Sequence, residues 1–167
     1  SCSACRPMPS SSGPSASDTL NVTDGFVIVT YGTGPSSGSL ATGGGPISFL
    51  GIEQIQLTGG GGFLAVNGTN GDDAIDLTGN TITVNNGAVV TFAGYAIVTL
   101  DARNGDDAIS VNGTTTAGVA ILNVLGGAPG ASDQLQVTGV DPTVGVHTAG
   151  SSITGVGVGV LLYGGIE

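Results

Sequence analysis

Short apolar stretches alternate with clusters of Gly, Asn, Asp and Thr along most of the chain, and within each stretch apolar and polar residues take turns. A period of two places successive side chains on opposite faces of an extended strand. The pattern therefore predicts strands with one buried face, joined by tight turns. The runs fall at 20–23, 26–31, 52–58, 63–66, 74–77, 81–84, 88–92 and 96–100. Others follow at 109–111, 119–125, 135–137, 144–147 and 156–163. Residues 1–17, rich in Ser, Pro and Cys, lack the period. They are expected to form a flexible N-terminal arm before a single all-β domain over 18–167.

Repetition sharpens this expectation. The unit Asn70-Gly71-Asp72-Asp73-Ala74-Ile75 returns 34 residues later as Asn104-Gly105-Asp106-Asp107-Ala108-Ile109. Phe49-Leu50-Gly51-Ile52 pairs similarly with Phe92-Ala93-Gly94-Tyr95. A longer repeat of 115 residues sets Pro14, Ser17, Asp18, Leu20, Val22 and Thr23 on Pro129, Ser132, Asp133, Leu135, Val137 and Thr138. Further on, Gly51-Ile52-Glu53 matches Gly165-Ile166-Glu167, so residues 14–53 and 129–167 are related copies. Regular short strands with Gly, Asn and Asp turns predict a β-solenoid, or β-helix, with a β-sandwich completed by donor-strand exchange as the alternative.

The first copy runs on into a strand at 54–57, whereas the second stops where that strand would begin. A repeat without its neighbour leaves strand edges and apolar side chains uncovered, and arrays normally end in a polar cap. Residues 156–166 are instead apolar and uncharged. The expectation is head-to-tail self-association by β-augmentation into a filament or surface layer. Val156, Val158, Val160, Leu161, Leu162, Tyr163 and Ile166 would meet Leu20, Val22 and Phe26 of the next copy. A cut within a longer tandem array is the competing reading.

Composition narrows the function classes. Twelve Asp and Glu against two Arg and no Lys give a net charge of −10, which excludes the basic face that nucleic-acid binding requires. Thirty-two Gly among 167 residues argue against helices, and a 40% hydrophobic content argues against disorder. No uncharged apolar stretch approaches the roughly 20 residues of a membrane-spanning helix. The absence of Lys and the sequons at Asn21, Asn67 and Asn112 suit an extracellular or cell-surface protein carrying glycans, although plain turn residues are the simpler reading of the sequons. The chain starts at Ser1 without Met, so either a leader has been removed or this is a fragment.

The densest carboxylates are Asp72, Asp73, Asp76, Asp106 and Asp107. Stacked coils would bring them close enough to share a hard cation, with calcium the candidate ion, although Asn-Gly-Asp is also ordinary turn chemistry. No other cofactor is indicated. A polysaccharide-active β-helix enzyme would place such carboxylates beside a cation and sugar-stacking aromatics. The body has only Arg103 and the tyrosines Tyr31, Tyr95 and Tyr163, and the chain is read as non-enzymatic. His147 has no second His to complete a metal site or triad. Cys2 and Cys5 could close a small disulfide loop or tether a neighbour outside the cell.

The Ser-Asp-X-Leu-X-Val elements at 17–22 and 132–137, Gly51-Ile52-Glu53-Gln54-Ile55 and the two Asn-Gly-Asp-Asp-Ala-Ile units resemble repeats of large surface proteins of environmental bacteria, planctomycete-type especially. That resemblance implies exported, solenoid-like, non-catalytic modules with structural or adhesive roles. The Gly-Asp-Asp units also resemble half of an RTX nonapeptide, whose calcium sites need consecutive nine-residue turns. Here the units lie 34 residues apart. An adhesive or calcium-binding module of a larger surface protein is therefore the second functional expectation.

Overall fold

The computed structural model describes residues 17–34, 36–112, 118–127, 133–139, 145–147, 152–154 and 160–166, and every regular element among them is a strand. The chain runs through β1 (Thr19–Thr23), β2 (Phe26–Tyr31), β3 (Ser37–Thr42), β4 (Gly45–Leu50), β5 (Gln54–Asn67), β6 (Ala74–Thr78) and β7 (Thr81–Val84). It continues through β8 (Val89–Asp101), β9 (Ala108–Asn112), β10 (Ile121–Leu125), β11 (Gln134–Thr138), β12 (Gly145–His147), β13 (Ser152–Thr154) and β14 (Val160–Gly164). Together they form one open, mixed sheet.

Two long strands organise that sheet. β5 and β8 pair in parallel from Gln54 opposite Val89 to Asn67 opposite Asp101, with a register shift around Gly62. Their first halves belong to a ladder in the order β1-β5-β8-β7-β6-β9-β11. Their second halves belong to another, β4-β3-β2-β5-β8-β10-β14-β13-β12. All strands run the same way except β3, β7 and β13, which pair antiparallel with their neighbours.

The sequence pattern splits each long strand in two, at 52–58 with 63–66 and at 88–92 with 96–100. The structure corrects this: each pair is one strand that bends from the first ladder into the second. Close backbone approach makes the bend. A Cβ added at Gly62 would lie 1.7 Å from the Gly25 carbonyl oxygen, and one at Gly94 would lie 2.3 Å from that of Gly59. Only glycine lets these chains stack so closely. The buried Tyr95 ring fills the corner and its hydroxyl donates to the Asp24 carbonyl at 2.8 Å. Burial, with the Asp24 charge adding, pushes that phenol up to about 12.

Alternating residues of both ladders meet in one aliphatic core that includes Ile55, Leu57, Leu64, Val66, Ile75, Val98, Leu100 and Leu122. Burying one face of each strand in this way accounts for the period of two. A second correction concerns β3 and β4, which lack the apolar alternation and were not expected as strands. Leu40 and Phe49 are their buried anchors. Phe49-Leu50-Gly51-Ile52 consequently ends an edge strand, whereas Phe92-Ala93-Gly94-Tyr95 spans the bend of β8, so the two segments are not structural equivalents.

The described parts of the two copies, 115 residues apart, do fold alike. The pairs Thr30 with Ser39 and Tyr31 with Gly38 return as Gly145 with Thr154 and Val146 with Ile153. In the ladder order, β11 stands six places from β1, and β12, β13 and β14 stand six places from β2, β3 and β4 respectively. One four-strand unit thus occurs at both ends of the sheet. Over its described residues, 160–166, the expected unpaired rim is corrected by the same topology. β14 is paired on both sides, with β10 from Ile121 opposite Val160 to Leu125 opposite Gly164, and with β13 at Leu161 and Leu162. Among the described residues, the open edges at this end of the sheet lie on β11 and β12.

Candidate functional site

Where the second ladder returns to the first, the two Asn-Gly-Asp-Asp units stack in register, because β6 and β9 pair with Ala74 opposite Ala108. The Asp106 amide donates to Asp72 Oδ1 at 2.9 Å, and Asn104 Nδ2 donates to Asn70 Oδ1 at 3.3 Å. Beneath them runs a buried series. The Asp73 amide donates to Asp107 Oδ1 at 2.8 Å, and the Asp107 amide donates to Asp133 Oδ1 at 2.9 Å. The carboxylates of this series cap backbone amides, which is turn chemistry on a third rung that the sequence units did not reveal. Among the described residues no group of three or more His, Cys, Asp or Glu is arranged to hold a metal ion. Asp76 stands apart, exposed, accepting from the Thr78 hydroxyl at 2.9 Å.

The three buried rungs differ in their partners. Asp73 is saturated: it accepts the Thr69 amide at 2.7 Å, the Thr69 hydroxyl at 3.0 Å and the Asn85 side-chain amide. Asp107, 2% exposed, has Oδ2 buried with no hydrogen-bond partner among the described residues. The sequence explains the contrast. At the position of Thr69 the second unit has Arg103, at φ +78°, whose amide turns to Asp101 Oδ1 at 3.1 Å. At the position of Gly68, where a Cβ would lie 2.4 Å from Asp73 Oδ2, the second unit carries the buried methyl of Ala102.

Desolvation raises the Asp107 carboxyl above its ordinary value. The amide of Asp73 pulls the other way, and the charges of Asp73, Asp133 and Asp72 reinforce the rise. A carboxyl whose folded pKa lies above its unfolded value stabilises the fold most below the unfolded pKa, and the gain is lost as pH rises through the folded value. Urea unfolding of Asp107→Asn should therefore match wild type in acid and exceed it by about 1 kcal/mol at neutral pH, where wild type buries an incompletely paired charge. Parallel curves across that range would contradict this account.

A groove of about 700 Å³ opens beside the ladder, lined by Tyr31, Asn70, Asn85 and Arg103 among others. The Tyr31 hydroxyl donates to the Ala88 carbonyl, and burial pushes its pKa up. Asn85 is committed to Asp73 and to the Ala74 amide. The Arg103 backbone amide donates to Asp101 Oδ1.

The sequons differ in accessibility. Asn21 is exposed on β1, whereas Asn67 and Asn112 are half-buried at the ends of β5 and β9. The Asn67 amide donates to the Thr30 hydroxyl at 3.2 Å. Cys2, Cys5, Val156 and Val158 lie outside the described residues, as do the sequon threonine Thr114 and the side chains of His147 and Val160.

Of the residues expected at a self-association surface, Leu20 and Val22 lie half-buried on β1, and Phe26, 47% exposed, stacks on Phe63 with ring centroids 5.6 Å apart. Leu162 is exposed, Tyr163 and Ile166 pack on the core, and Leu161 is buried within it. The described members of this set are thus divided between core and surface. Among the described residues, β1, β4, β11 and β12 each have a single strand neighbour. Natural sheets usually protect such edges with charges, yet β1, β4, β11 and β12 carry none. The sequence signal that locates the first ladder is an acidic residue followed by an alternating apolar pair and Thr or Asn: Asp18, Glu53, Asp73, Asp107 and Asp133 each precede such a strand.

No protein-family model, curated protein or solved structure matches this chain. Among the described residues no helix is long and apolar enough to cross a membrane.

Proposed function

We propose that the protein is a non-enzymatic structural protein of the cell exterior, a β-solenoid that joins copies of itself head to tail. The observation that carries this reading is the four-strand unit repeated at both ends of the sheet, six places apart, with uncharged free edges on both copies. A solenoid presents equivalent strands at regular intervals, so what one end offers, the other can accept. The solenoid reading draws on the parallel stacking of β2, β5, β8, β10 and β14 and of β6, β9 and β11. The acidic composition, the absence of Lys and the likeness to bacterial surface repeats support an exported location. In this reading the Asp ladder closes turns, and neither calcium nor another cofactor takes part. Electron microscopy and sedimentation of the full chain across a concentration series test the proposal. Filaments or head-to-tail multimers that grow with concentration are expected. A monomer throughout the series would overturn it.

A further inference from the structure

We infer that the free edges of β11 and β12 together form an acceptor for one long parallel strand of the β5 type, supplied by a second copy of this chain. This rests on the self-association reading and names its contact. In the first unit β5 lies along β1, with Thr19 opposite Gln54, and then along β2, with Phe26 opposite Phe63. β11 and β12 are the counterparts of β1 and β2, and the sides on which β5 would lie have no strand neighbour among the described residues. The inner residues of β11 record the vacancy. Leu135 and Val137 are half-buried, whereas Ile75, Leu77, Ile109 and Val111, on strands flanked on both sides, are buried.

Register carries the match further. The Gln54 amide donates to the Asp18 carbonyl and the Gln134 amide donates to the Asp107 carbonyl, so each strand of this series hangs on the acidic residue of the one before. Asp133 occupies the same place ahead of β11 that Asp18 occupies ahead of β1. Strand, edge and Asp133 carbonyl are therefore presented as they are to β5. β5 carries no charged residue, so it meets the uncharged edge without stranding an ion. A second copy offers its β5 when its own β1–β4 unit gives way to the incoming β11–β14 unit, an exchange between equivalents of the kind seen in domain swapping.

The test uses the full chain with Cys2 and Cys5 changed to Ser and a labelled peptide of residues 54–67, extended by two lysines for solubility. Saturable binding by fluorescence anisotropy is expected, weakened at least tenfold when the peptide carries Ile55→Asp and Leu64→Asp. Asn21 faces Gln56 in the first unit, so Gln136→Cys in the chain should form a disulfide with a Gln56→Cys peptide. Thr138→Cys, two residues out of register, should not. Gln136 and Thr138 are exposed, so both variants are expected to fold. Absence of binding and of the registered disulfide overturns the inference even where filaments form, and in that case self-association stands without this contact. Binding by a chain that remains monomeric supports the acceptor edge and removes the self-association reading.

Discussion

Gly62→Ala should cost about 3 kcal/mol or more, a large share of a domain's typical stability. The added Cβ would lie 1.7 Å from the Gly25 carbonyl oxygen and 2.6 Å from its carbon, and both are backbone atoms that cannot rotate aside. That same oxygen accepts the Phe63 amide at 2.8 Å, so moving it to admit a methyl breaks the bond that turns β5 from one ladder into the other. Gly60→Ala, two residues away, meets nothing within 4 Å and supplies the control. It should change stability by less than about 1 kcal/mol, since loss of unfolded-state freedom favours Ala where space and backbone allow it. Urea unfolding of both variants decides the matter. Equal midpoints would mean that β5 does not bend across Gly25.

The same glycines show why the sequence yielded the strands but not their continuity. Gly59 to Gly62 reads locally as a break between two apolar runs, because glycine is the commonest punctuation of turns. What makes it a bend within one strand is Gly25, more than thirty residues away, and no local pattern contains that contact. β3 and β4 were hidden for a related reason. Their Gly, Pro and Ala residues are weak strand formers, and they are strands because β2 supplies an edge and Leu40 and Phe49 reach the core.

The candidate site was partly legible. A spacing of 34 residues identified two rungs of the acidic ladder, but Asp133 stands 26 residues beyond Asp107 and was visible only as part of the longer repeat. Superposing the copies pointed to an uncovered strand edge. It attached the vacancy to the last strand in the chain, whereas strand order in space puts β14 between β10 and β13 and leaves β11 and β12 at the edges. Sequence gives succession, and an edge is a matter of neighbours.

Asp73→Ala should destabilise the fold by about 3 kcal/mol, and the size follows from what the carboxylate leaves behind. Asp73 is 2% exposed, and its loss would leave the Thr69 amide, the Thr69 hydroxyl and the Asn85 side-chain amide without their acceptor. Water can reach the exposed Asn85 amide but only partly the half-buried Thr69 donors, whose loss of an acceptor beside the buried Asp73 position costs more than the intact bonds contribute. Damage should spread along the chain. Asn85, at φ +51°, accepts the Ala74 amide through its own Oδ1, so once released it no longer ties the turn after β7 to the start of β6. Amide exchange should therefore accelerate at Thr69 and Ala74 together, while Asp76→Ala, at an exposed position, should stay within about 0.5 kcal/mol of wild type. Asp73 and Asp107 hold the same place in two copies of one motif, yet their neutralising substitutions are expected to act in opposite directions at neutral pH. Among the described residues, donors meet both oxygens of the first carboxylate, whereas the second has an oxygen facing none. Equal and like-signed effects would mean that Thr69 and Gly68, the two residues replaced in the second unit, do not govern the chemistry of the ladder.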